Sequence, residues 1–252
     1  MSHAIFFTHW QWALAILGAF LVGVSKTGIS GLGLIFVGLF ATVFSSSKES
    51  TGAVLPLLIF GDIVAVATYR AHAQWRHLWR LIPAAALGVV LGYGALSRIS
   101  DHESRVLVGL IIVALACMSY WQRFHQTHNG TVSDRLHPAL TVSAGILAGI
   151  ITLIANAAGP VMAIYLVSMR LPKLQYVGTS AVFFLLINLF KLPFIANLGL
   201  VTPSSLALNI ELLPVVLLGA IAGRWLLTLV NQNLFENLVL ALTLASGILM
   251  LL

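Results

Sequence analysis

A chain of 252 residues that is 60% hydrophobic and only 8% charged is no ordinary soluble domain, where charged residues make up about 25%. Its mean hydropathy of +1.02 points to a polytopic membrane protein. The 13 basic residues outnumber the 7 acidic ones, but they fall in short loops between apolar runs, which speaks for membrane orientation and against nucleic-acid binding.

A helix needs about 20 apolar residues to cross the hydrocarbon core, so this length holds about eight to ten helical elements and no separate soluble domain. The runs are continuously apolar and lack the alternation of barrel strands, so the expected class is all-α. The start, "MSHAIFFTHWQW", lacks a basic signal region, and the first run is expected to be retained. Apolar runs then fall at residues 10–24, 31–44, 52–69, 81–97 and 104–121. The longest polar stretch, "RFHQTHNGTVSDRLH" at 123–137, links them to a second series at 138–154, 160–170, 177–198, 212–230 and 236–252. The expected units are a first transmembrane repeat over 1–122, the linker, and a second repeat over 138–252. Cys117 is the sole cysteine and reads as a small core residue, with no disulfide possible within the chain.

The two series resemble each other. "FLVGVSKTGISGLGLIFVGLF" aligns with "ILAGIITLIANAAGPVMAIYL" at a constant offset of 126 residues, pairing Gly23 with Gly149, Ser30 with Asn156 and Gly33 with Gly159. The same offset carries Gly52 to Gly178 and Asp62 to Asn188. After an insertion of about five residues in the second half, Gly88 and Gly92 fall on Gly219 and Gly223. The loop "YRAHAQWRHLWR" reads as cytoplasmic and as an aromatic, basic interfacial anchor, whereas its counterpart "ANLGLVTPSSLALN" carries no positive charge and reads as external. Two repeats of about five elements are therefore expected to be inverted, with both termini outside. The first two runs of each repeat are short, about 22 Å of helix against a core of about 30 Å. They form either thin full crossings or broken, re-entrant hairpins; polar, glycine-rich interruptions at matching positions favour the hairpins.

The interruption "VGVSKTGISGLGL" places Lys26 within an apolar segment. Such a cation either snorkels from a superficial loop or faces a cavity on a transport path. Its neighbours favour the cavity: Ser25, Thr27 and Ser30 bring hydroxyls, while Gly28, Gly31 and Gly33 admit close backbone approach. A helix starting near Gly31 adds its positive dipole end, and the matching tip "IANAAGPVM" offers Asn156, then Gly159 with Pro160 suited to a first helical turn. Asp62, inside "LPLLIFGDIVAVATY", is either the partner of Lys26 in the empty state or a proton carrier. Thr51, Thr179 and Ser180 are expected to cap the following helices or face a ligand. Lys191, followed closely by Pro193, reads as an interfacial lysine.

"GISG", Gly28 to Gly31, also fits the serine motif of rhomboid intramembrane proteases. All eight histidines lie at flanks or in loops, leaving no base in the membrane to activate Ser30. No phosphate-binding loop and no metal-ligand spacing occur, so no cofactor or metal is implied.

The segments "VGVSKTGISGLGL", "ESTGAVLPLLIFGDIVAVATYRAHAQW" and "AGIITLIANAAGPVMAIYL" resemble the sulfite exporter TauE/SafE family, also called the 4-toluene sulfonate uptake permeases. The resemblance spans nearly the whole chain. It implies a multi-pass secondary transporter of the plasma (inner) membrane, moving sulfite, sulfoacetate or aryl sulfonates and coupled to an ion gradient. It is not expected to be an enzyme. Carried over by motif, the implied ligand region is Ser25, Lys26, Thr27, Ser30, Gly31 and Gly33, with Asn156, Ala157 and Gly159 opposite. Asp62, as an intramembrane carboxylate, is the candidate for proton coupling. Where many members have a G-x-G-G-G tip, this chain has "SKTGISGLG" and "NAAGP", which bears on which anion fits. A channel-like anion permease is the alternative. The expected partners are the small anion and membrane lipid.

Overall fold

The residues with defined placement in the computed structural model are 8–29, 32–44, 47–96, 103, 106, 110, 113 and 138–251. The linker 123–137, Cys117 and most of the fifth run lie outside them. The described elements are α1 (His9–Thr27), α2 (Gly33–Val43), α3 (Ser47–Tyr69), a 3-10 turn (Arg70–His72), α4 (Trp75–Leu96), α5 (Pro138–Ala155), α6 (Gly159–Ser168), α7 (Lys173–Asn197), α8 (Pro203–Leu229) and α9 (Gln232–Leu251).

Local chemistry sets several of these ends. At α1 the Thr8 backbone N–H donates to Gln11 Oε1 at 2.9 Å, and at α6 Pro160 occupies the first turn. At α8 the Thr202 N–H donates to Ser205 Oγ and the Ser205 N–H donates back to Thr202 Oγ1, with Pro203 at the first helical position. That reciprocal cap starts α8 nine residues ahead of the run expected at 212, so most of the expected external loop is helix. Asn209, within this added stretch, is buried and donates to Ala53 O at 2.8 Å.

The helix pairs expected to be equally short are not. α1 and α5, with 19 and 18 residues, rise about 28 and 27 Å, close to a full crossing. α2 and α6, with 11 and 10 residues, rise only about 16 and 15 Å. Each pair thus joins a nearly full helix to a half-length one through a break. Glu49–His72, Lys173–Asn197 and Pro203–Leu229 are each long and apolar enough to cross a membrane. Their outward faces expose Ile63, Ile210, Leu218, Ile221 and Trp225, as a protein solvated by lipid does. Of the expected basic loop, residues 75–80 form the start of α4, where Trp75 and Trp79 are also exposed, as an interfacial anchor would be.

Packing is crossed between the chain's halves. α1 lies against α8, α4 against α5, and α3 against α7. Small residues permit the backbone approach that holds helices together where burial from water gives no drive. A Cβ on Gly23 would stand 2.1 Å from Val216 O, and one on Gly149 would stand 2.0 Å from Ala85 O. Reciprocally, a Cβ on Gly219 would meet Phe20 O and one on Gly88 would meet Ile146 O, each at 2.1 Å. Gly23→Ala and Gly149→Ala are each expected to cost about 1–3 kcal/mol through backbone displacement, read as a lower melting temperature in detergent. Gly38, where an added Cβ meets nothing within 4 Å, is the control whose alanine variant should melt like the parent.

Candidate functional site

Both helix breaks open on one cavity. α1 stops at Thr27 and α2 begins at Gly33; α5 stops at Ala155 and α6 begins at Gly159. Asn156 turns the second break with φ of +52°, a left-handed conformation that Asn tolerates better than most residues. The first amides of α2 and α6 have no carbonyl within their own helix to donate to, and they carry the positive ends of the helix dipoles. Gly33 and Gly159 bring those two starts to the cavity wall.

The cavity measures about 40 Å³, room for about three waters or one small oxyanion. Its polar lining is Ser25, Lys26, Thr152, Asn156, Ser180 and Asn188, and its apolar lining is Phe36, Leu58, Ala181 and Phe184. Half of the twelve lining residues fall in pairs at the repeat offset: Lys26 and Thr152, Gly33 and Gly159, and Leu58 and Phe184 each stand 126 positions apart.

Charge is concentrated here. Lys26, only 11% exposed, places Nζ 2.7 Å from Oδ1 of the fully buried Asp62 and 4.5 Å from the centroid of the Phe184 ring. The other carboxylate oxygen, Oδ2, accepts from Asn188 Nδ2 at 2.6 Å, so positions related by the repeat offset are joined directly. Behind the cavity, Lys191 is fully buried. Its ammonium donates to Thr152 O and Thr152 Oγ1, both at 3.0 Å, and to Asn156 Oδ1. Asn156 Nδ2 in turn donates to Thr51 O at 2.9 Å, which ties the second break to α3.

Of the residues expected to bind ligand, Ser25, Lys26, Gly33, Asn156 and Gly159 reach the cavity, and Asp62 stands one ion pair away. Two do not reach it. Thr27 Oγ1 donates to Ala220 O at 2.7 Å and to Gly23 O at 3.1 Å, so it fastens α1 to α8. Its carbonyl accepts from Tyr69 OH at 3.0 Å. Ala157 is buried in the hydrophobic core. Ser30 and Gly31 lie outside the described residues. Thr51 and Thr179 fall inside α3 and α7 instead of at their starts; Thr179 Oγ1 accepts from the Gln74 N–H at 2.9 Å, while Ser180 lines the cavity.

Lys191 is the largest correction. The closely following Pro193 suggested an interfacial lysine within the run 177–198, but α7 passes through Pro193 to Asn197, and Lys191 is fully buried. Membrane helices tolerate proline where neighbours satisfy the freed carbonyl. The signal available in the sequence was the long apolar stretch on both sides of Lys191, the same signal that singled out Lys26.

A helical, membrane-embedded body with a cavity that joins a cation to two helix starts is the architecture of a membrane transport protein for anions. The family model for the sulfite exporter TauE/SafE proteins matches residues 15–250, nearly the whole chain. The chain belongs to that family, whose members move sulfur-containing anions across membranes. No curated protein and no solved structure gives a match to it.

Proposed function

We propose that this protein is a secondary active transporter of the plasma membrane that carries a small sulfite or sulfonate anion by alternating access between two inverted repeats. The observation that carries the reading is the meeting of the Lys26 ammonium and two helix N-termini at one cavity. Backbone amides at Gly33 and Gly159, with the Ser25 and Ser180 hydroxyls, offer donors to sulfur-bound oxygens, and Phe36, Leu58 and Phe184 offer contacts to the rest of the ligand. Inversion of the repeats is supported by the matched lining pairs, by the Asp62–Asn188 bond and by the reciprocal glycine contacts of α1 with α8 and α4 with α5.

In this mechanism Asp62 holds Lys26 in the empty state. An arriving anion competes for the ammonium, and the released carboxylate takes up a proton, so that substrate and proton move together. Residues 70–80 face the cytoplasm, both termini lie outside, and the unit boundaries fall at the polar linker 123–137.

A thermal-shift screen of the purified protein against sulfite, alkyl and aryl sulfonates, sulfate and carboxylates tests the substrate class. A ligand at a hundredfold over its Kd adds about 2.7 kcal/mol to the folded state. Sulfite or a small sulfonate is expected to raise the melting temperature most. Equal or larger shifts from carboxylates alone would reject the assignment.

A further inference from the structure

Resting on the anion-site reading above, we propose that Lys191 is the second cation of the site, supplying its uncompensated positive charge and so setting the sign of the ligand it admits. The Lys26 ammonium and the Asp62 carboxylate form a pair of zero net charge. A neutral pair does not by itself select an anion. Among the described residues Lys191 has no such partner: its contacts are the Thr152 carbonyl, the Thr152 hydroxyl and the Asn156 amide oxygen, all neutral. Three oxygens around one nitrogen match the three N–H donors of an ammonium. Asp62 is already engaged by Lys26 and Asn188.

The placement also has a counterpart. Thr152 stands at the repeat offset from Lys26, so the second break, which lacks a cation of its own, receives one from α7 at the equivalent point. Each break thereby carries one ammonium, with a single carboxylate between them. A buried cation lacking a counter-ion is costly, and an anion bound in the adjoining cavity offsets that cost. Lys191 acts through Thr152 and Asn156, which line the cavity, and does not itself line it.

The test is charge rescue, with sulfite as the probe and the full-length protein in detergent. Lys191→Gln keeps an amide donor for Thr152 and removes the charge; it is expected to weaken sulfite binding about tenfold or more by calorimetry. Asp62→Asn added to it restores the net charge of plus one and is expected to recover affinity to within about threefold of the parent, since the lost and regained terms are of similar size. Lys191→Met with and without Asp62→Asn repeats the comparison without the amide. If the single variants do not accumulate folded, the double variants decide alone: binding near the parent value supports the proposal, and absent binding in folded protein overturns it. Unchanged affinity in Lys191→Gln, or a loss that Asp62→Asn does not recover, leaves Lys191 a structural clamp. Failure of the parent protein to bind sulfite would instead strike the anion-site reading itself.

Discussion

Lys26→Ala is expected to weaken sulfite or sulfonate binding by about a hundredfold or more, because it removes the ammonium that lines the cavity. The same change strands Asp62, fully buried and opposite Lys26, and breaking such a pair from one side costs about 3–5 kcal/mol. Loss of binding alone would therefore be ambiguous. Lys26→Ala combined with Asp62→Asn separates the two effects: melting temperature should return toward the parent value, since neither member of the Lys26–Asp62 pair is left as a stranded charge, while binding should stay lost. Proteoliposome uptake that survives in the double variant would remove Lys26 from the site.

Asp62→Asn is expected to part transport from its driving force. The amide cannot carry a proton but still faces Asn188, so exchange of substrate between the two sides of a proteoliposome should continue. Acceleration of uptake by an inwardly directed proton gradient should vanish, with the rates measured with and without the gradient becoming equal. Gradient-driven uptake that persists would make Asp62 a purely structural partner of Lys26.

The parts of this fold legible in the sequence were those that depend on composition and spacing. Glycine and polar residues interrupting apolar runs marked both helix breaks, because neither feature suits the middle of a lipid-exposed helix. The constant offset brought Asp62 and Asn188 to corresponding places, and the structure joins them by a hydrogen bond. The errors arose where direction or context decides. A helical residue's face is set by its neighbours' packing, so nothing in "SKTG" distinguishes Lys26, which turns into the cavity, from Thr27, which turns to Ala220. Pro193 hid Lys191 because proline breaks helices in water far more readily than it does among packed helices. At α8 the polar residues between 202 and 209 looked like a loop, yet they serve as a cap at Thr202 and as an interhelical donor at Asn209.

The crossed glycine contacts also determine which pieces can travel together. Gly23 and Gly219 leave almost no gap between α1 and α8, and Gly88 and Gly149 do the same for α4 and α5. Sliding one helix past its partner would drive backbone into backbone, so each couple behaves as a single plank. Every plank takes one helix from either side of the linker. In the alternating-access cycle proposed above, the seam would therefore not follow the order of the chain, because each couple draws one helix from either side of the linker.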